Sequence, residues 1–219
     1  MSNFDSVRAN IYNTKFILCD ISANMCHSWD VQFNIQTNLS YKNISICHML
    51  FDKCIDTLRE EYPDSKIAIV SPANSYGLMD GGYDKAITDY FGKNLQSIVQ
   101  QKILHDFCGE QPVGCSISVD IPNHKNFMLI HTPTMRKPER ILDNKIVYHC
   151  TRSSIIEALI NGCDIVVLPA FGGLTGEVSH TSIAYYMERA IAQLITVPYN
   201  IPNWRYVYDS HPLNQLKNM

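Results

Sequence analysis

The segment Val70-Ser71-Pro72-Ala73-Asn74-Ser75-Tyr76-Gly77-Leu78-Met79-Asp80-Gly81-Gly82-Tyr83-Asp84 concentrates polar chemistry at the tip of an apolar run. The Asn74 side chain offers both a donor and an acceptor, which suits a sugar diol. Gly81 and Gly82 let backbone approach a ligand closely and adopt positive φ. A helix beginning near Tyr83 would present free N–H groups at its start, an anion site. Asp84 falls in that first turn, where the helix dipole favours a carboxylate. It is therefore expected to be ionised and able to orient a water or a sugar hydroxyl. Each residue alone also has a plain structural use, since glycines make turns and an aspartate steadies a helix start.

A second loop has the same setting. In Leu168-Pro169-Ala170-Phe171-Gly172-Gly173-Leu174-Thr175-Gly176-Glu177-Val178, three glycines fall within five residues, after an apolar run and before a helical stretch. Such a loop can turn successive N–H groups toward a diphosphate. No Gly-Lys-Ser/Thr follows, so it is not a P-loop and ATP hydrolysis is disfavoured. Neither loop is a G-x-G-x-x-G, which leaves a dinucleotide-binding dehydrogenase weakly supported.

Rigid elements must hold these loops side by side. Phe16-Ile17-Leu18, residues 66–70 and residues 164–168 are short apolar runs, each predicting a buried strand. Residues 31–37 alternate apolar and polar, which predicts a strand exposed on one face. Cys47, Leu50, Phe51, Cys54, Ile55 and Leu58 recur at helical steps and predict one amphipathic helix with both cysteines on its buried stripe. Helices are also predicted from near Tyr83, over 94–107, over 146–160 with Gly162 as its C-cap, and over 183–194. Residues 116–121 and 127–131 predict two strands divided by Pro122-Asn123, while 204–208 fits a final strand or a short helix. The alternation of strands and helices makes the expected fold class α/β, a layered helix–sheet–helix arrangement. Ligands of such sheets bind beyond the carboxyl ends of the strands. Asp20 and both glycine loops fall at such ends.

Composition narrows the classes further. With 219 residues, 46% hydrophobic and 18% charged, the chain is globular and long enough for a core of its own. A net charge of −3 argues against a nucleic-acid groove but not against a small anion held by backbone N–H groups. No run of 18 or more apolar residues suggests a membrane span. The polar stretch 1–10 does not resemble an export signal, so the eight cysteines are expected to be reduced thiols of a cytoplasmic protein. They form no C-x-x-C pair, so no metal site is expected, and the sequons at Asn38 and Asn43 are taken as chance matches.

Four separated segments together resemble the macrodomain family, which binds ADP-ribose. Val70 to Ile87 resembles its first ligand loop, and Phe171 to Val178 its diphosphate-cradling loop. Cys19-Asp20-Ile21 is similar to the Gly-Asp-Ile near the family's start, and Phe127 to Pro133 to its Ile-His strand. The resemblance implies a mixed, mostly parallel sheet of about six strands between helices. It implies one macrodomain over 1–219, with a core of roughly 15–195 and a tail of 196–219. It implies that Asp20 and Ile21 hold adenine, that Asn74, Gly82 and Asp84 meet the distal ribose, and that Ala73, Gly81 and Tyr83 also bind the ligand. Gly172, Gly173, Leu174, Thr175 and Gly176 would wrap the diphosphate, with Phe171 and Glu177 among the other ligand-binding residues. In the hydrolase branches the residue matching Asp84 orients the attacking water and the one matching Asn74 fixes the ribose. The implied ligands are ADP-ribose or its derivatives, carried in some cases on proteins, with no cofactor.

The departures are specific. Ser71 stands where the family's first Asn is usual, and Pro72 replaces the next Ala. Tyr83 replaces a small aliphatic residue; it can stack, hydrogen-bond or shield the pocket. Glu177 puts a carboxylate beside the diphosphate, which is unfavourable unless it points away. Pro133-Thr134-Met135-Arg136 matches a segment of some phage and bacterial macrodomains; Arg136 is expected in a surface salt bridge and His131 in the core. Tyr206 and Tyr208 are candidates to stack on adenine.

Overall fold

The computed structural model describes residues 10–35, 41–196 and 201–210. The elements run β1 (Lys15–Asp20), α1 (Ala23–Ile35), β2 (Ile44–His48), α2 (Phe51–Glu61), β3 (Ile67–Ser71), α3 (Gly82–Phe91) and α4 (Asn94–Phe107). They continue with β4 (Ile117–Asp120), β5 (Phe127–His131), α5 (Lys145–Ile160), β6 (Ile165–Leu168), α6 (His180–Ile195) and α7 (Trp204–Ser210).

One sheet of six strands has the order β2-β1-β6-β3-β5-β4. All neighbours are parallel except β4, which runs antiparallel to β5 with Val119 opposite Leu129. This is the expected mixed, mostly parallel sheet. The apolar runs are continuous because both faces are covered. Phe16, Leu18, Ala68, Val70, Val166 and Leu168 pack under α1, α5 and α6. Their alternates Ile17, Cys19, Ile67, Ile69, Ile165 and Val167 pack under α2, α3 and α4.

Two expectations change. Residues 31–35 belong to α1, not to a strand; 36–37 lie outside the described residues. Met25, Cys26, Trp29 and Phe33 form one buried helical stripe there, and that longer period overrides a short alternation. Cys47 lies on β2, paired in register with Cys19, and α2 starts only at Phe51. Phe51, Cys54, Ile55 and Leu58 keep the helical stripe without it. The segment 204–208 is helical. Of the two sequons, Asn38 lies outside the described residues, and Asn43 donates to the carbonyls of Ile11 and Thr14.

No helix among the described residues is long and apolar enough to cross a membrane. All eight cysteines are free thiols.

Candidate functional site

Because β1, β3 and β6 run parallel, their carboxyl ends open on one edge of the sheet. A cleft of about 460 Å³ lies there. Its walls come from three strand ends: Asp20 to Ser22 after β1, the loop 72–84 after β3, and the loop 169–176 after β6. Thr134, Met135 and Pro138 close it from the segment after β5, and His180 from the start of α6. A methyl placed on Gly82 would meet Leu174 Cδ1 at 3.5 Å, so the two glycine loops face each other across the opening. Ile21 and Leu174 are largely exposed at this mouth.

At one end Asp20 closes β1 and organises the chain that follows. Its Oδ1 accepts from the Ser22 N–H at 2.7 Å, and Ser22 Oγ accepts from the Met25 N–H. Asp20 Oδ2 has no protein partner among the described residues and can accept a ligand N–H.

The loop after β3 is fixed by pairing beyond the strand. Ala73 N–H donates to Thr132 O, Thr134 N–H to Ala73 O, and Ser75 N–H to Arg136 O, with Asn74 bridged to Met135. Residues 132–136 thus extend β5 alongside 71–75. Arg136 lies outside the cleft, where it holds Glu110 through two contacts of 2.6 and 2.9 Å and lies over Tyr76. The Tyr76 hydroxyl donates to the same Glu110. The Pro133–Arg136 motif is therefore a brace behind the loop after β3.

Asn74 shapes that loop as well as lining the cleft. Its Oδ1 accepts from the N–H groups of Tyr76 and Leu78, and its Nδ2 donates to Leu78 O at 2.7 Å. One Nδ2 hydrogen remains for a ligand.

Asp84 differs from its expected state. It is 7% exposed, and Ser71 Oγ donates to its Oδ1 at 2.6 Å. Burial pushes its carboxyl up to about 7; the Ser71 hydroxyl opposes this and the nearby Asp80 charge adds to it. At neutral pH it is thus divided between its acid and its carboxylate rather than fully ionised. The helix dipole does not offset desolvation this deep.

Tyr83 lines the cleft between Asp84 and Phe51, packing edge-on against the latter at 5.2 Å. Its hydroxyl is buried without a partner among the described residues, and desolvation raises its pKa. Gly82 takes φ +54° at the first position of α3, and Gly81 makes no side-chain cap. No side chain among the described residues caps the first turn of α3.

In the loop after β6, Gly172 has φ +75° and Gly176 lies against it. A methyl on Gly176 would stand 2.7 Å from Gly172 O. Val178 N–H donates back to Gly172 O, and Ile141 N–H to Gly176 O. The N–H groups of Leu174, Thr175 and Gly176 make no hydrogen bond among the described residues. Successive unpaired N–H groups form an anion-binding concavity. No Lys or Arg lines the cleft among the described residues, so an anion held there would rely on backbone N–H groups, neutral side-chain donors and His180.

Four sequence expectations lie elsewhere. Phe171 is fully buried in the core and packs beneath the loop rather than lining the cleft. Glu177 points outward to Arg140, at 3.5 Å, its φ of +54° turning it from the cavity. Tyr206 and the largely exposed Tyr208 do not line the cleft. The remaining predicted residues, Asp20, Ile21, Ala73, Asn74, Gly81 to Asp84 and Gly172 to Gly176, all line it. Sequence reading missed Asp80, Ser22, Thr134, Met135 and His180. Asp80 was legible as a carboxylate one residue before Gly81; the others are brought in by tertiary pairing alone.

His131 is in the core, as expected. Its Nδ1–H donates to Gln111 Oε1 at 2.7 Å, its Nε2 has no partner among the described residues, and burial pushes its pKa down to about 3.

Residues 70–185 match the family model of the Macro domain. An uncharacterized protein of Aquifex aeolicus (strain VF5) is 31% identical over 123 residues, 56% of this chain and 71% of that protein. Two solved structures share the fold. The macrodomain of Mycobacterium tuberculosis DarG aligns with a TM-score of 0.51 at 18% identity, over 61% of this chain and 86% of that one. The Oceanobacillus iheyensis macrodomain with MES bound aligns with a TM-score of 0.52 at 20% identity, over 60% of this chain and 70% of that one.

Proposed function

The chain belongs to the Macro domain family, an ADP-ribose-binding family, and on that premise we propose that its cleft hydrolyses an ADP-ribose derivative by water attack at or near C1″ of the distal ribose. The derivative is ADP-ribose on a protein side chain, ADP-ribose 1″-phosphate or O-acetyl-ADP-ribose. One observation carries the reading: Asp84, with a pKa near 7, lies in the wall of the cleft whose facing loop presents three unpaired N–H groups.

In this reading Asp20 accepts the adenine amino group through Oδ2 while Ile21 covers the ring. The N–H groups of residues 174–176 hold the diphosphate without mobile counter-charges, a preorganised electrostatic site. Asn74 gives its remaining Nδ2 hydrogen to a ribose hydroxyl, and Gly82 lets the sugar approach the backbone. Asp84, in its ionised form, takes a proton from water as the water oxygen bonds to C1″. A base with a pKa near the working pH combines a usable ionised fraction with proton affinity. Ser71 holds that carboxyl in one orientation.

The depth of Asp84 favours a second reading. With its carboxyl buried against Ser71 and most of the Asn74 amide engaged in the loop, the same cleft suits a reader that binds ADP-ribose and turns nothing over. Calorimetric titration with ADP-ribose, wild type beside Asp20→Ala, tests the pocket. A loss of about tenfold or more in affinity is expected, about 1.4 kcal/mol or above. Unchanged affinity would remove Asp20 from the site. Release of ADP-ribose from derivatives, abolished by Asp84→Asn, separates hydrolase from reader.

A further inference from the structure

The cleft's distal end narrows the departing group, an inference that rests on the hydrolase reading above. Asp80 and Asp84 both line it, flanking Gly81, Gly82 and Tyr83. Asp80 is exposed and makes no hydrogen bond or ion pair among the described residues. The same residues contribute no Lys or Arg to the lining. The start of α3 therefore carries two aspartates, one before its first residue and one in its first turn. The unpaired N–H groups of residues 174–176 suffice for the diphosphate and lie on the opposite loop.

We propose that the substrate carries at C1″ a nitrogen-linked cation of the guanidinium class, seated between Asp80 and Asp84, and that a phosphate at C1″ is rejected. A guanidinium presents a planar fork of N–H donors to carboxylates. A phosphate there would meet the Asp80 carboxylate and the ionised fraction of Asp84, with no Lys or Arg in the lining among the described residues.

The chemistry matches this choice. As the C1″–N bond breaks, its electron pair goes to nitrogen, and the guanidinium departs as neutral guanidine. The water oxygen bonds to C1″, and the water proton passes to the Asp84 carboxylate and then to the guanidine. The products are ADP-ribose and a guanidinium, with no oxidation or reduction. A cationic leaving group needs no prior protonation, so one carboxylate suffices for the step.

The test compares ADP-ribosyl-agmatine with ADP-ribose 1″-phosphate on the full chain, wild type and Asp80→Asn. Free ADP-ribose is titrated in parallel. Wild type is expected to turn over the agmatine conjugate with kcat/KM at least tenfold above the phosphate. Asp80→Asn, at an exposed position, is expected to cut that ratio at least fivefold and to bind the 1″-phosphate more tightly. Equal or faster turnover of the 1″-phosphate overturns the proposal, as does a ratio that Asp80→Asn leaves unmoved. ADP-ribose binding with no turnover of the conjugate overturns it too, leaving the binding pocket standing. No binding of ADP-ribose by folded wild type instead overturns the reading on which it rests.

Discussion

Asp84 couples the chemistry of the cleft to the stability of the fold. Its buried carboxyl, at about 7, holds its proton far above an unfolded aspartate near 3.8. Its contribution is thus fully present below about pH 4 and is lost as pH rises through about 7. Asp84→Asn removes this dependence. Between pH 5 and 8 the wild type should lose about 1–3 kcal/mol that the variant keeps, read from denaturant melts at both pH values. Identical pH dependence in the two proteins would mean that Asp84 titrates normally. Ser71→Ala acts on the same group in the opposite sense to a stabilised anion. The serine hydroxyl lowers the carboxyl's pKa, so its removal should move the titration upward. Carboxyl NMR titration reads this directly, and a downward or absent movement would assign Ser71 no part in tuning the group. The sequence named both residues and could not set their state: an aspartate in a first turn reads as ionised until its burial is known.

The elements around the cleft set how tightly it is built. Gly176 has Gly172 O at 2.7 Å from any added methyl, and a backbone atom cannot swing aside. Gly176→Ala should cost about 1–3 kcal/mol of stability and most of the ADP-ribose affinity. Gly81→Ala is the contrast. Nothing lies within 4 Å of the added carbon, so only a helix-cap preference is lost, about 1 kcal/mol or less. Matched effects of the two changes would show that the loop after β6 relaxes freely. β1, β3, β5 and β6 were legible because burial on both faces leaves continuous apolar runs. β2 was hidden because it is a half-exposed edge strand beside α2, whose periodicity absorbs Cys47. The brace from residues 132–136 onto 73–75 was also hidden, because such pairing leaves no local signature.

At the scale of the molecule, a ligand that binds only the folded cleft must raise its stability. ADP-ribose at 100 times its dissociation constant adds about 2.7 kcal/mol, which for a chain of this size means a melting shift of about 5–10 °C. Thermal melts with ADP-ribose, and with AMP as the shorter comparison, check this. A shift with AMP as large as that with ADP-ribose would leave the distal end of the cleft without a role in binding. The fold class was legible as a whole, since alternating strands and helices admit few arrangements. The strand order was not, because it depends on which distant segments pair.

That order governs how the chain is made. β6 lies between β1 and β3, though it follows them by about a hundred residues or more in sequence. A ribosome releases the N-terminal segment first. β1 and β3 then wait with their inner edges open until Leu168 has left the exit tunnel, since only β6 joins them. Nascent chains arrested before residue 165 should be protease-sensitive along β1 and β3. Those extended past α6 should turn resistant in one step, so the sheet's centre is its final addition rather than its seed.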